Sequence, residues 1–160
     1  MDCNFVFIKE EYFAKNRDFI EMLDPYDVKK QSSRCYLFVE IRHNGNNFFV
    51  PLRESVDFRI GNIGYPVQSS TRPNAGLDFR KTLIVNNSEY IQELEQVMIS
   101  SSQMRKIVRD FAAIRRLFAH YISGYVRAAL KGREKIDRLY KFSTLHNFHK
   151  ELGVCTSDFY

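Results

Sequence analysis

The chain has 160 residues, 44% of them hydrophobic, and a formal net charge of +5 at pH 7. This length and composition predict one folded domain that spans residues 1–160, and they exclude a disordered chain. The sequence contains neither a run of about 18 apolar residues nor a basic leader followed by an apolar stretch, so we expect no membrane span and no signal peptide.

Charge is distributed unevenly along the chain. Residues 1–100 contain 12 Lys and Arg against 14 Asp and Glu, whereas residues 101–160 contain 12 against 5. Such an excess within one domain predicts a polyanionic partner, most simply a nucleic acid. The three cysteines, at positions 3, 35 and 155, form no CxxC or Cys-His motif, so we expect reduced thiols in a cytoplasmic protein and no bound metal.

The first elements are predicted from hydrophobic periodicity. CNFVFIK, at residues 3–9, is apolar and favours a strand. Residues 10–23 carry aromatic and aliphatic side chains at helical spacing, which predicts a helix that ends at Asp24-Pro25. The polar residues 25–33 that follow predict a loop.

Residues 36–53 predict a β-hairpin, because two alternating segments flank the turn sequence HNGN. Pairing the two aliphatic rows places Leu37 opposite Val50 on one face. The other face then carries Tyr36, Phe38, Phe49 and Arg53, with Arg34 and Ser55 at the same parity. Pro51 cannot donate to a ladder, which predicts an edge position or a strand end.

The middle of the chain is predicted to be largely irregular. Gly and Pro residues punctuate residues 56–75 and predict one long loop. GLDFRK, at residues 76–81, leads into a strand predicted for Thr82 to Val85. Ser88 then has the side chain of an N-cap for a helix predicted at residues 90–100.

The clearest helix is predicted at residues 103–131, where apolar side chains recur at steps of three and four. At about 100° per residue, five basic side chains cluster opposite this stripe: Arg105, Arg109, Arg116, His120 and Arg127. They form either an ordinary solvated face or, because Asp110 is the only acid in this range, a phosphate-binding surface.

The C-terminal segment predicts a short final helix near residues 143–152, capped by Ser143 or Thr144. Within it, His146 and His149 are three residues apart, a spacing that suits metal binding, acid–base chemistry or a structural role. The elements together predict an α+β fold, in which helices pack on one side of a small antiparallel sheet.

Four segments occur in a characteristic order: RCYLFVEI at 34–41, NGNNFFVPL at 44–52, GLDFRK at 76–81 and LYKFSTLHNFHKELG at 139–153. In this order they resemble motifs of the endoribonuclease toxins of type III toxin–antitoxin systems, the ToxN/AbiQ-like group with its CptN and TenpN relatives. The PLRES ending of the hairpin and the GLDFRK motif are most similar to the TenpN branch.

The resemblance implies a small curved antiparallel sheet with helices, in the manner of the open MazF-like barrel. It also implies a toxin that cleaves single-stranded RNA with a sequence preference, needs no metal or other cofactor, and acts in phage defence by abortive infection. The implied partners are a structured small-RNA antitoxin derived from repeats and target mRNA, with RNA-mediated assembly of several copies. Cleavage through the 2′-OH predicts 2′,3′-cyclic phosphate and 5′-hydroxyl ends.

In the better-studied branch of the group, the active centre combines a lysine before the first hairpin strand with a Thr-Ser pair after Pro-Leu; this pair is not reproduced here. Here Arg53, Glu54 and Ser55 follow Pro-Leu, while Lys30 and Arg34 flank the lysine position. The catalytic residues predicted from this region and from GLDFRK are Arg53, Ser55, Lys30, Arg34 and Lys81.

Roles for these residues follow from their chemistry. Arg53 suits bidentate phosphate binding, shared with Arg34 or Lys30, and Ser55 can hydrogen-bond the phosphate. Lys81 or Lys30 is predicted to act as the base. Glu54 is an alternative base, although its parity directs it to the other side of an extended strand.

Tyr26, Tyr36, Phe38 and Phe49 can stack on unpaired bases or pack within the sheet. Base stacking is predicted for the two tyrosines, and sheet packing is favoured for the two phenylalanines. Contacts to the RNA or the antitoxin are also predicted for Arg72, Arg80, Arg105, Arg109, Arg116 and Arg127. Two other functions stay open: a non-catalytic RNA- or DNA-binding module that uses the same basic face, and a phage-defence scaffold that acts through protein partners.

Overall fold

Residues 4–94 and 99–154 are described in a computed structural model of the chain. Within them, the strands are β1 (Phe5–Ile8), β2 (Tyr36–Val39), β3 (Phe48–Arg53), β4 (Gly64–Pro66), β5 (Gly76–Asp78), β6 (Leu83–Ile84) and β7 (Ile91–Glu93). The helices are α1 (Glu10–Lys15), α2 (Val28–Ser32), α3 (Ser101–Arg109), α4 (Phe111–Leu130) and α5 (His149–Leu152). No helix in these two ranges is long and apolar enough to cross a membrane.

The strands form one open antiparallel sheet in the order β4-β5-β3-β2-β1-β7, and β6 also pairs with β3. The α+β class and the antiparallel sheet predicted from the sequence are confirmed. Because β2 and β3 occupy the centre of the sheet, the segments that enter and leave this hairpin are held by neighbours on both sides.

The β2–β3 hairpin has the register that the alternation predicts. Leu37 pairs with Val50, and Phe38 pairs with Phe49. On the face shared by Leu37 and Phe48, the Phe48 ring packs edge-on against Phe118 of α4, with ring centroids 5.5 Å apart. The main hydrophobic core therefore lies between this face and α4.

Pro51 lies in the interior of the sheet, so the predicted edge position is wrong. The Leu52 amide donates to the Cys35 carbonyl on the β2 side, at 3.2 Å. Because amides alternate along a strand, the Pro51 nitrogen faces the other side. On that side, β6 pairs with the start of β3 and β5 pairs with its end. Pro51 lies between these two neighbouring strands, so the amide hydrogen that it lacks is not needed for a backbone hydrogen bond.

The N-terminal part differs from the prediction after residue 15. α1 ends at Lys15, so the helix predicted to reach residue 23 is wrong beyond that point. Glu21, Asp24 and Tyr26 adopt positive φ angles of 61°, 48° and 70°, which no helix accommodates. Residues 28–32, predicted as a loop, form α2, whose N-cap Asp27 accepts a hydrogen bond from the Lys30 amide at 3.1 Å.

Two other segments form strands instead of the predicted structures. Within residues 56–75, predicted as one loop, β4 pairs with β5. The helix predicted at residues 90–100 is wrong at Ile91–Glu93, which form β7 and pair with β1; residues 95–98 lie outside the described part of the chain. Pairing with the edge of β1 gives the N–H and C=O groups of β7 hydrogen-bond partners, whereas a short helix would leave several of these groups without a partner in the protein.

The helix predicted at residues 103–131 is divided in two at Asp110. Ser100 caps α3 through its hydroxyl, and α4 ends at Leu130. Asp110 has φ −100° and ψ 12°, and its carboxylate accepts hydrogen bonds from Tyr65 Oη (2.8 Å) and Arg109 Nε (2.9 Å). The hydrogen bond from Tyr65 fixes the junction of α3 and α4 to β4. The final helix is confirmed as α5, preceded by a turn that Ser143 caps.

Candidate active site

A cleft of about 350 Å³ lies at the exit of the β2–β3 hairpin, between the end of β3, the segment around the end of α2, and the start of α3. Among the described residues of its lining, the charged side chains are Lys30, Arg34, Arg53, Arg72 and Glu54. We call it the cationic cleft. The structure thus brings together three side chains predicted to be catalytic and one predicted to bind RNA.

Arg53 is held in place by a buried carboxylate. Its Nη1 donates to Oδ2 of Asp78 at 2.7 Å; Asp78 is fully buried, whereas 27% of the Arg53 side chain is exposed. Asp78 also accepts from Nε and Nη2 of Arg80, both at 3.1 Å. Two arginines around one acid leave a positive charge beside the cleft, and the ion pair fixes the direction of the Arg53 guanidinium.

Asp24 binds two more cations of the cleft, Arg34 and Lys30. Arg34 Nη2 donates to Oδ2 of Asp24 at 2.7 Å, and Lys30 Nζ lies 3.2 Å from Oδ1. Burial favours the neutral acid, but hydrogen bonds from Arg34 and Lys30 outweigh this effect and keep the pKa of Asp24 below its ordinary value. The ionised carboxylate therefore ties the loop before α2 to the cleft.

Glu54 lines the cleft, and the orientation predicted from strand parity is wrong. β3 ends at Arg53, so the alternation of side chains does not continue to Glu54. Its carboxylate lies 3.1 Å from Arg72 Nη2, and both side chains are exposed. Ser55 instead lines a neighbouring cavity, with Asp57 and Asn74. Glu54 is thus the acid among the described residues that line the cleft.

Lys81 is not among the described residues that line the cleft. Its Nζ donates to the carbonyl oxygens of Glu21, at 2.7 Å, and Phe142, at 2.9 Å, and 12% of its side chain is exposed. Burial lowers the pKa of Lys81, and the nearby Glu21 partly opposes that effect. These two hydrogen bonds join the loop that carries Asp24 to the segment before α5.

The two tyrosines predicted to stack on RNA have different environments. Tyr36 is 3% exposed, and burial raises its pKa well above the ordinary value, so its ring is packed inside the protein and does not present a face to a base. Tyr26 is 80% exposed but does not line the cleft. The predicted role of Tyr36 therefore does not fit its burial.

The predicted RNA-binding arginines outside the cleft fall into two groups. Arg80 is turned toward Asp78, and 11% of its side chain is exposed. The side chains on α3 and α4 are exposed, namely Arg105, Arg109, Arg116 and Arg127. Because α3 and α4 are separate helices, these four do not form the single straight stripe that one continuous helix predicts.

The two C-terminal histidines meet at one phenol. His146 Nδ1 and His149 Nε2 each lie 2.7 Å from Tyr125 Oη, and His146 Nε2 donates to the Lys141 carbonyl at 3.1 Å. In its neutral form His146 must then accept at Nδ1 from Tyr125, which leaves the phenol oxygen to accept from His149. These bonds join α4 to α5 and lie outside the cationic cleft.

Sequence reasoning missed the two acids that position the arginines. Asp24 is ten residues from Arg34, and Asp78 is 25 residues from Arg53, so neither pair is visible as a local motif. One signal was present: the Asp-Phe-Arg sequence occurs at residues 57–59 and again at 78–80. In both copies the aspartate caps a short turn and binds the arginine two residues later.

No protein-family model matches the sequence, and no curated protein matches it significantly. Among solved structures, the chain is similar to AbiQ, a lactococcal anti-phage endoribonuclease of the type III toxin–antitoxin system, with a TM-score of 0.61 at 19% identity over 89% of this chain and 90% of AbiQ. A structure described with selective toxin inhibition by a non-coding RNA pseudoknot, in bacterial type III systems, gives a TM-score of 0.47 at 18% identity over 97% of this chain and 90% of that one. The first of these similarities, at a TM-score of 0.61, shows that the chain has the fold of AbiQ.

Proposed function

We propose that this chain is an endoribonuclease toxin of the type III toxin–antitoxin kind, which cleaves single-stranded RNA in the cationic cleft without a metal ion. The observation that carries the proposal is that Lys30, Arg34, Arg53 and Arg72 line one cleft with Glu54 at the hairpin exit. The four sequence motifs and the fold shared with AbiQ, an endoribonuclease, support it.

Arg53 and Arg34 bind the scissile phosphate in this proposal. Asp78 and Asp24 fix the two guanidinium groups before the RNA arrives, so little reorganisation is needed on binding. Negative charge increases on the phosphate oxygens as the 2′-oxygen attacks. Preorganised guanidinium donors therefore stabilise the transition state more than the bound substrate.

Glu54 and Lys30 are the proton-transfer groups. The Glu54 carboxylate takes the 2′-OH proton as the 2′-oxygen bonds to phosphorus. The bond from phosphorus to the 5′-oxygen breaks, and that oxygen takes a proton from the Lys30 ammonium. The products are a 2′,3′-cyclic phosphate and a 5′-hydroxyl end, and each transfer contributes about 10²- to 10⁴-fold to the rate.

A structured small RNA inhibits the enzyme in this proposal, and cellular mRNA is the substrate. The exposed arginines of α3 and α4 supply phosphate contacts for either RNA, because such contacts depend on charge and not on base sequence. Assembly of several copies by the antitoxin, and membership of the TenpN branch, stay predictions from the sequence resemblance.

Cleavage of a labelled single-stranded RNA by the purified protein tests the proposal. The expected result is cleavage in the presence of EDTA, with cyclic-phosphate and 5′-hydroxyl ends. Arg53→Ala should lower kcat/KM by about 10²- to 10³-fold while RNA binding weakens modestly. Arg133→Ala removes an equal charge from an exposed side chain that does not line the cleft, and should leave cleavage unchanged.

Three outcomes would contradict parts of this proposal. Cleavage that requires a divalent metal would refute the mechanism. RNA binding without cleavage, with only a modest loss of binding in Arg53→Ala, would favour a non-catalytic RNA-binding module. Full activity of both Glu54→Gln and Lys30→Met would exclude the assigned proton transfers, while the cleft itself would still stand as the phosphate site.

A further inference from the structure

A second cavity, of about 480 Å³, opens beside the two phenylalanines of the central hairpin, Phe38 and Phe49. Its other walls come from β1, β7, the loop after β6, and Met104 of α3. We call it the aromatic cavity. Sheet packing is the favoured prediction for both rings, with base stacking as the alternative; Phe49 is buried, whereas Phe38 is only half-buried.

The strand register places the main side chains of this cavity on one face of the sheet. Phe38 pairs with Phe49, and Val6 pairs with both Tyr36 and Glu93. Residues two apart in a strand share a face, so Phe38, Phe49 and Glu93 are on the same side. The two rings are 5.4 Å apart and tilted by 42°. On this face of the sheet, Phe38 and Phe49 therefore lie on one side of β1, and the Glu93 carboxylate lies on the other side.

The chemistry of the lining suits an uncharged planar group and not a phosphate. In the part of the lining that the structure describes, Glu93 is the charged residue, and lysine and arginine are absent. Amide and hydroxyl groups of Asn4, Asn47 and Ser88 add hydrogen-bond donors and acceptors. Aromatic faces combined with a few polar groups are how proteins bind unpaired nucleobases. A carboxylate repels phosphate but accepts from an exocyclic amino group.

The aromatic cavity and the cationic cleft both border the start of α3. Consecutive residues of this helix line the two spaces: Gln103 the cleft and Met104 the cavity. The two sites also share β3, because Arg53 is four residues from Phe49, or about 13 Å along a strand. One extended RNA strand can therefore place a phosphate in the cleft and a nearby base in the cavity.

We propose that the aromatic cavity binds an unpaired base of the RNA whose backbone lies in the cationic cleft, and that Glu93 selects bases with an exocyclic amino group over uracil. This inference rests on the proposed function, whose RNA substrate it makes more specific. Stacking on Phe38 supplies affinity, and the Glu93 carboxylate supplies discrimination. The opposite charges of the two sites orient the strand, since phosphate is attracted to one and repelled by the other.

Binding of 2′-O-methyl oligoribonucleotides, which lack the attacking hydroxyl, tests the subsite by fluorescence anisotropy. Phe38→Leu should weaken binding of oligo-C about tenfold, and Phe38→Tyr should retain it. Phe142→Leu, a matched change of an exposed ring outside the cavity, should have no effect. The wild type should prefer oligo-C to oligo-U about fivefold, and Glu93→Gln should remove this preference.

The results for these variants distinguish a failure of the base subsite from a failure of the cleft chemistry. Unchanged binding and base preference in Phe38→Leu and Glu93→Gln, with cleavage by the wild type intact, would overturn the subsite and leave the proposed function standing. Full cleavage by Arg53→Ala, with base preference lost in Glu93→Gln, would refute the cleft chemistry and support the subsite. No oligonucleotide binding by the wild type would overturn both. If Phe38→Leu fails to fold, the exposed Glu93→Gln variant decides.

Discussion

Asp78 offers a direct test of how the cationic cleft is built. Its buried carboxylate accepts hydrogen bonds from Arg53 Nη1 and from the Nε, Nη2 and backbone amide of Arg80. Asp78→Asn preserves the shape of the side chain, removes its charge and turns one acceptor into a donor that faces a guanidinium. We expect this change to destabilise the fold and to slow cleavage.

The size of the effect follows from burial. Removing one partner of a buried ion pair costs about 3–5 kcal/mol. Water reaches part of Arg53 and Arg80, whose side chains are 27% and 11% exposed, so the lower end of that range applies. A loss of about 3 kcal/mol in the free energy of unfolding corresponds to about 6–12 °C in Tm for a chain of this size. An arginine displaced by about 1 Å should lower kcat/KM about 10²-fold.

The repeated Asp-Phe-Arg sequence provides a matched control. At residues 57–59, Arg59 Nε and Nη2 donate to Asp57 at 2.9 and 3.1 Å, nearly the geometry of the pair at residues 78–80. There, however, the side chains of the acid and the arginine are 46% and 91% exposed. Exposed pairs contribute little to stability, so Asp57→Asn should leave the urea midpoint and the cleavage rate unchanged.

Urea unfolding followed by circular dichroism, with RNA cleavage measured on the folded protein, gives the two quantities to compare. A wild-type midpoint for Asp78→Asn would show that the buried carboxylate does not anchor the two arginines. Destabilisation with an unchanged kcat/KM would show that catalysis does not depend on how Asp78 orients Arg53. Equal effects of Asp78→Asn and Asp57→Asn would refute the role of burial.

Two further predictions concern stability. Lys81→Met should lower the free energy of unfolding by about 1 kcal/mol, because the Lys81 ammonium no longer donates to the carbonyls of Glu21 and Phe142, which lie in two different segments; an unchanged urea midpoint would mean that water replaces these hydrogen bonds. Burial lowers the pKa of His149 below 6.5; Glu134 opposes this effect, and His146 and Lys135 add to it. The unfolded chain therefore binds more protons than the folded one. Stability should therefore be full above about pH 6.5 and fall as the pH decreases, with less pH dependence in His149→Gln; urea midpoints between pH 8 and pH 5 that do not change would contradict this.

The sequence by itself determined the elements whose causes are local. Alternation on both sides of an Asn-Gly turn fixes the β2–β3 hairpin and its register, because a shift of one residue would turn every aliphatic side chain away from the core. The final turn and α5 follow from a capping serine, and the end of α4 from helical periodicity. The uneven charge also indicates a polyanionic partner without reference to any fold.

Only the tertiary structure decided the features that depend on distant partners. Residues 91–93 become a strand because β1 offers them an edge, and Glu54 enters the cleft because β3 ends one residue earlier. Asp24 and Asp78 bind arginines that are ten and 25 residues away, with no local motif to connect them. Backbone pairing and ion pairs act through space, so their partners are known only once the chain has folded.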